Sequence, residues 1–256
     1  MKRIIAMASL LVMASFAMAL AGTASSVEPS GVSFDQIVGD RDVVLLIETT
    51  TTAIDQALND LGVVYDYFNG GDFSGLDLTP YDHVFLGMDG GLVEEPSIAN
   101  AANYVNGGGH FHLYGGTCYQ PFAIAINTHL VQNDINNYCW TTVGGTPHST
   151  IVDAGHYLAT SLPANYNFND ISATYYQTRT TDAGLAVAAV NGDGYNHLFS
   201  KPIGSGNFDW CINSAYESYY LNPNDYNWFK QVISNMLFLG PTATQEGSWS
   251  TLKSLY

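Results

Sequence analysis

The stretch from Gly107 to Tyr119, GGGHFHLYGGTCY, decides how this chain is read. Three glycines end whatever precedes them, HFHLYG from His110 has the length and apolar content of a strand, and a second glycine pair delivers Cys118 at a tight turn. Such a turn is where nucleophiles sit, and equally where a cysteine awaits a bridge.

Upstream of the glycines, Pro96 to Val105 has helical spacing, and before it HVFLGM is a short apolar strand. The polar segment NGGDFSGLDLTPYD separates that strand from VVYDYF. Thr51 to Leu61 places Ala53, Ile54, Ala57 and Leu61 near one helical face and is stopped by Gly62. DVVLLIE, from Asp42 to Glu48, is a continuous branched run suited to a strand buried on both faces. Strands are expected at about 43–48, 63–67, 82–88 and 110–114, with a helix from Gln120 to Val131 following the last. Strands joined through helices run parallel, because each helix returns the chain to the edge it left. The first half therefore predicts an α/β fold with a doubly wound, mostly parallel sheet of flavodoxin-like kind. The second half changes character. TTDAGLAVAAVN, YNHLFSK and NFDWCIN are separated by short turns, which predicts an antiparallel extension, and Asn224 to Leu239 reads as a closing helix.

The chain opens with Met1-Lys2-Arg3 and an apolar run from Ile4 to Ala21, with small residues at Ala19 and Ala21, so residues 1–21 read as a signal peptide. Residues 22–41 read as a linker, 42–239 as one domain, and 240–256 as a C-terminal tail. Without Lys2 and Arg3, five basic residues face 23 acidic ones, a net charge of −18. A surface so acidic repels phosphate backbones and anionic headgroups, which excludes nucleic acid as a partner class. No second apolar run is long enough to span a bilayer, and export to the periplasm or the outside is the expected localisation. In the tail, Trp249, Leu252, Lys253, Leu255 and Tyr256 form either a sorting or docking pattern or an amphipathic terminus.

The phrases ALNDLGVVYDYF, LTPYDHVFLGM, AANYVNGGGHFHLYGGTC and IGSGNFDWCIN, in this order, resemble the class I glutamine amidotransferase-like superfamily. The likeness is greatest to its exported, degenerate branches of the trehalose-utilisation type and to glycosidase-associated domains. The resemblance implies a nucleophile on a Gly-x-Cys-x-Gly elbow and a base in a later His-x-Glu segment. Gly116-Thr117-Cys118 matches the first half of the elbow, and Gln120 replaces its second glycine. After FDWCI the chain reads Asn213-Ser214-Ala215-Tyr216-Glu217, with no histidine. His110 and His112 are substitute bases in principle, but they alternate onto one face of a covered strand and read as core or supporting groups. Asp153-Ala154-Gly155-His156 resembles the family's His-Pro-Leu turn, with Tyr157 in place of proline.

Three cysteines in an exported chain raise the alternative of a disulfide. A bridge between Cys118 and Cys139 closes about 20 residues and would contribute roughly 3 kcal/mol. Cys211 is then a small buried hydrophobe; a bridge from Cys118 to Cys211 and a free Cys118 are the alternatives.

Ligands of open α/β sheets gather beyond the carboxyl ends of the strands. That rim would hold Glu48, Thr49, Asp89, Thr117, Asn213, Tyr216 and Glu217. Glu48, Asp89 and Glu217 are either strand-end groups satisfying loop amides or a carboxylate set, for a hard cation such as calcium or for acid/base work; no metal or other cofactor is otherwise indicated. Tyr216, Tyr219 and Tyr220 beside Asn and Asp have the makings of a glycan platform, whereas Tyr226 and Trp228 fall on the closing helix and read as core. The expected function is a secreted, non-catalytic binding or scaffold domain whose partner is a glycan or another exported protein. The alternative is a hydrolase of an amide or glycosidic bond using Cys118 or the three carboxylates.

Overall fold

The computed structural model describes residues 43–48, 53–87, 93–115, 120–133, 148–169, 180–212 and 222–237. The strands are β1 (Val44–Glu48), β2 (Tyr65–Asn69), β3 (His83–Gly87), β4 (His110–Tyr114), β5 (His148–Ile151), β6 (Asn165–Asn167), β7 (Ala186–Asn191), β8 (Asn196–Ile203) and β9 (Gly206–Cys211). The helices are α1 (Ala53–Asp60), α2 (Glu95–Asn106), α3 (Gln120–His129) and α4 (Pro223–Leu237), with a 3-10 turn at Tyr157–Ala159. Among the described residues the nine strands form one sheet in the order β2-β1-β3-β4-β9-β8-β7-β5-β6.

β2, β1, β3, β4 and β9 are mutually parallel, as the alternation of strands and helices in the first half predicts. From β9 through β8, β7 and β5 to β6 every pairing is antiparallel, as the short turns of the second half predict. Every residue of β1 and β3 is buried, the condition that continuous apolar runs in DVVLLIE and HVFLGM require.

The sequence misplaces the second strand by two residues. Val63 and Val64 have strand-like side chains, but Val63 belongs to the end of α1. Gly62, at φ 69°, donates to the Asn59 carbonyl at 3.0 Å, and Val63 donates to that of Leu58 at 2.9 Å. This double closure of a left-handed helix end uses Val63 as its hydrophobic partner, and Val64 is left 78% exposed. β2 begins only at Tyr65, where pairing with Val44 begins. β5 and β6 escaped the sequence because HSTI and NYN carry neither an apolar run nor clean alternation.

The three glycines before β4 each do something different. Gly107 caps α2, and Gly108 turns through φ 117°. Gly109 lies under the ring of Tyr104, where a Cβ would come within 2.1 Å of a ring atom. That ring reaches over to donate its hydroxyl to the Asp82 carbonyl at 2.9 Å and to accept from the amide of His110 at 3.2 Å, so it ties α2 to the entrances of β3 and β4.

Alternate strand residues serve opposite faces. On one face, Phe85, Tyr114 and Cys211 pack with Ile54 of α1 and Phe229 and Ile233 of α4. On the other, Val84, Leu86, Phe111, Leu113, Phe208 and Trp210 pack with Ile98 of α2 and Phe122 and Ile126 of α3. Helices thus cover both faces of the parallel part.

Candidate functional site

The carboxyl ends of the parallel strands are flush. Glu48 stands in register with Gly87, Gly87 with Tyr114, and Tyr114 with Cys211. Gly115 continues the edge by donating to the Cys211 carbonyl at 3.0 Å and accepting from the Trp210 indole at 2.7 Å. Of the rim residues expected from sequence, Glu48 lies within the described residues and closes β1. Thr49, Asp89, Thr117, Asn213, Tyr216 and Glu217 lie outside them, as do Cys118, Cys139, Tyr219 and Tyr220.

Glu48 is 1% exposed. Its carboxylate meets the hydroxyl of Tyr67 on β2; burial first, then the charge of Glu48 and the hydrogen bond to it, push the Tyr67 hydroxyl above its ordinary range. A partner of Glu48 is thus a hydroxyl on the neighbouring strand, not a loop amide. Cys211 is free and fully buried, and burial pushes its thiol up, so it is an inert core residue as the sequence suggests.

A second polar constellation lies on the α1/α4 face, nearer the amino ends of the strands. His83 opens β3, His112 is the middle residue of β4, and Asp209 pairs with His112 across the β4–β9 ladder. Nδ1 of His83 is 2.9 Å from Nε2 of His112, and Nδ1 of His112 is 2.9 Å from Oδ2 of Asp209. The other oxygen of Asp209 accepts from the Tyr157 hydroxyl and, at 2.7 Å, from Asn207, which also donates to the Tyr157 oxygen at 2.9 Å. His156, beside Tyr157, is 3.0 Å from the Ser200 hydroxyl and accepts from the Leu158 amide at 3.1 Å. His110, half-buried at the start of β4, stacks on His83 with ring centroids 5.2 Å apart.

Burial governs the charge of this chain. His112 and Asp209 are wholly buried. Desolvation holds His112 well below its ordinary proton affinity, with the neighbouring His110 adding to the effect. His83 is pushed down to about 2, by burial first and then by the charges of His112 and His110. Burial raises the Asp209 carboxyl to about 7 against the hydrogen bonds of Tyr157 and Asn207. The contact between His112 and Asp209 is therefore a hydrogen bond involving a neutral imidazole rather than a full ion pair.

Both ring nitrogens of His112 are thus committed inside the fold. Neither is left to take a proton from a cysteine beyond the end of β4. The sequence identifies His110 and His112 as core or supporting groups, which the structure bears out, but it overlooks their partners. His83 reads there as the first letter of a strand and Asp209 as part of NFDWCIN. Their meeting depends on the register of strands far apart in the chain. A buried acid inside an otherwise apolar strand was the available signal.

No family model matches the chain, and no curated protein matches it. Solved structures share its fold. A cytoplasmic protein from Salmonella typhimurium LT2 is 12% identical, with a TM-score of 0.56 over 76% of this chain and 98% of that one. A ThuA-like protein from Bacteroides uniformis is 13% identical, with a TM-score of 0.55 over 78% and 91% of the two chains. An exo-β-1,4-mannosidase from an Opitutaceae bacterium is 14% identical, with a TM-score of 0.51; the likeness covers 77% of this chain and 35% of the mannosidase. The chain has the fold of these proteins.

Proposed function

We propose that this chain is an exported, non-catalytic amidotransferase-like domain, built on a doubly wound flavodoxin-like sheet, that binds or scaffolds in a carbohydrate setting. The observation that carries this reading is the commitment of His112. Of the two histidines that could replace the missing base, His112 is bonded at both nitrogens, to His83 and to Asp209, and held neutral by burial, and burial also lowers the proton affinity of His110. A cysteine without a base keeps an ordinary pKa and reacts slowly at neutral pH. The fold shared with ThuA-like proteins supports an amidotransferase-like framework, and likeness to a third of a mannosidase chain accords with a carbohydrate setting. In this reading residues 1–21 direct export and Cys118 bridges to Cys139, a pairing in which Cys211 takes no part.

The test is chemical. The full chain folded under oxidising conditions should release no ammonia from glutamine and take up no glutamine-analogue electrophile at Cys118. Thiol counting after unfolding without reductant should find one free thiol, mapped to Cys211. Stoichiometric labelling of Cys118 would instead favour the hydrolase.

A further inference from the structure

A hollow of about 370 Å³ opens beside α4, lined by none of the residues of the His83–His112–Asp209 chain. One wall is a helical stripe: Asn224, Asn227, Trp228 and Gln231 recur at the spacing that puts side chains on one face. The other wall is the turn Ser161-Leu162-Pro163, continued by Tyr166 of β6 and by Asn169. No charged side chain lines it. Amides, a hydroxyl, two aromatic rings and two small apolar groups do.

The walls are fixed to each other at both ends. Asn235 of α4, nearly buried, donates to the carbonyls of Leu158 and Thr160 at 2.9 and 2.8 Å and so pins the turn to the helix; Gln231 in turn donates to Asn235 at 2.9 Å. At the other end Asp225 accepts from the Tyr166 hydroxyl at 2.6 Å and from the Asn169 side-chain amide at 3.0 Å. Ser161 holds φ 61°, the one non-glycine residue with positive φ among the described residues, a conformation kept only where the surroundings impose it. The hollow is therefore preorganised.

Trp228 supplies a second, independent observation. It is 4% exposed, its ring is packed by Tyr166 at 6.1 Å, His197 at 6.0 Å and the edge of Phe168 at 4.9 Å, and its indole N–H has no acceptor among the described residues. A buried donor without an acceptor is uncommon in a native fold and is relieved by a ligand that brings an oxygen.

We infer that this hollow is a binding site for a neutral saccharide, its C–H groups against Leu162, Pro163 and the Tyr166 ring and its hydroxyls among the Asn224, Asn227 and Gln231 amides and the Trp228 indole N–H. Uncharged amides exchange hydrogen bonds with hydroxyls in both directions, as an acidic or basic lining does not. The strongly negative chain disfavours an anionic ligand. This inference rests on the binding reading above and gives it a place and a ligand class.

The experiment is a titration of the 15N-labelled full chain with maltose, lactose and mannobiose, following the Trp228 indole resonance, assigned by its disappearance in Trp228→Phe. At least one of these sugars should shift it saturably. Asn224→Ala with Asn227→Ala, on the exposed side of the helix face, should weaken that sugar by about tenfold while leaving the thermal midpoint nearly unchanged, the expectation for two lost hydrogen bonds. An indole resonance unmoved by all three sugars would overturn the inference, and so would binding that the double variant leaves intact. Neither result touches the non-catalytic reading, which falls if glutamine releases ammonia or Cys118 labels; labelling with sugar binding preserved would leave the pocket standing.

Discussion

The two faces of the parallel sheet are built from alternate residues of the same strands and have opposite chemistry. Along β4, Phe111 and Leu113 go to the α2/α3 face, whereas His110, His112 and Tyr114 go to the other. Along β9, Phe208 and Trp210 oppose Asn207, Asp209 and Cys211. The α2/α3 face is a dry apolar core. The α1/α4 face mixes apolar packing with a hydrogen-bonded chain. A single sheet thus separates the layer that supplies stability in bulk from the layer that specifies its partners one by one.

The dry face should dominate the energetics. Phe111, fully buried and stacked on Phe208 at 6.1 Å, has no polar role, so Phe111→Ala should cost about 3–5 kcal/mol in chemical denaturation. A cost below that of a polar-face deletion would reverse the ranking of the two layers.

On the polar face, Asp209→Ala strips partners from His112, Tyr157 and Asn207 at once and should cost about 2–4 kcal/mol. Pairing it with Tyr157→Phe should cost less than the two changes separately, by about 0.5–3 kcal/mol, because both remove one network. Strict additivity in that double-mutant cycle would mean the chain of contacts is not a unit.

The difference between the faces also has a pH signature. His83, His110, His112, His156 and His197 have proton affinities depressed chiefly by burial, so the stability they contribute is present above the unfolded histidine value near 6.5 and is lost progressively as pH falls below it. Asp209 has the opposite sign. Its affinity is raised, so its contribution is full below the unfolded carboxyl value near 4 and is lost as pH rises toward and through about 7. Between these limits unfolding takes up several protons at the histidines and releases about one at Asp209, so stability should rise with pH from about 4 to 6.5. Asp209→Asn should steepen that rise by about one proton, read from denaturation midpoints across the window. A slope unchanged by the substitution would show that Asp209 is ionised throughout.

The same contrast explains what the sequence made legible. Runs such as VLLIE and HVFLG announce themselves because burial on both faces leaves no room for polar letters, and the parallel order follows from the helices between them. The two-residue error at β2 arose because Val63 serves a helix end rather than a ladder. The polar face was only half readable: His110 and His112 declare a shared side through their spacing, but Asp209 lies 97 residues from His112 and only register joins them. The stripe Asn224, Asn227, Trp228, Gln231 was visible as letters, yet its meaning required the opposing turn at Ser161–Pro163, which no local pattern predicts. Cys118, the most suggestive letter of all, lies outside the described residues.

The chain His83, His112, Asp209 has a directionality that one proton sets. With Asp209 protonated, its hydroxyl donates to Nδ1 of His112, which must then carry its own hydrogen on Nε2 and donate to Nδ1 of His83. With Asp209 ionised, every arrow turns: His83 donates through Nδ1, His112 accepts at Nε2 and donates through Nδ1 to the carboxylate. Both imidazoles exchange tautomers, and the dipole running across β3, β4 and β9 changes sign without any side chain leaving its place. Such a core carries an internal electrical polarity that solution pH writes through a single buried acid.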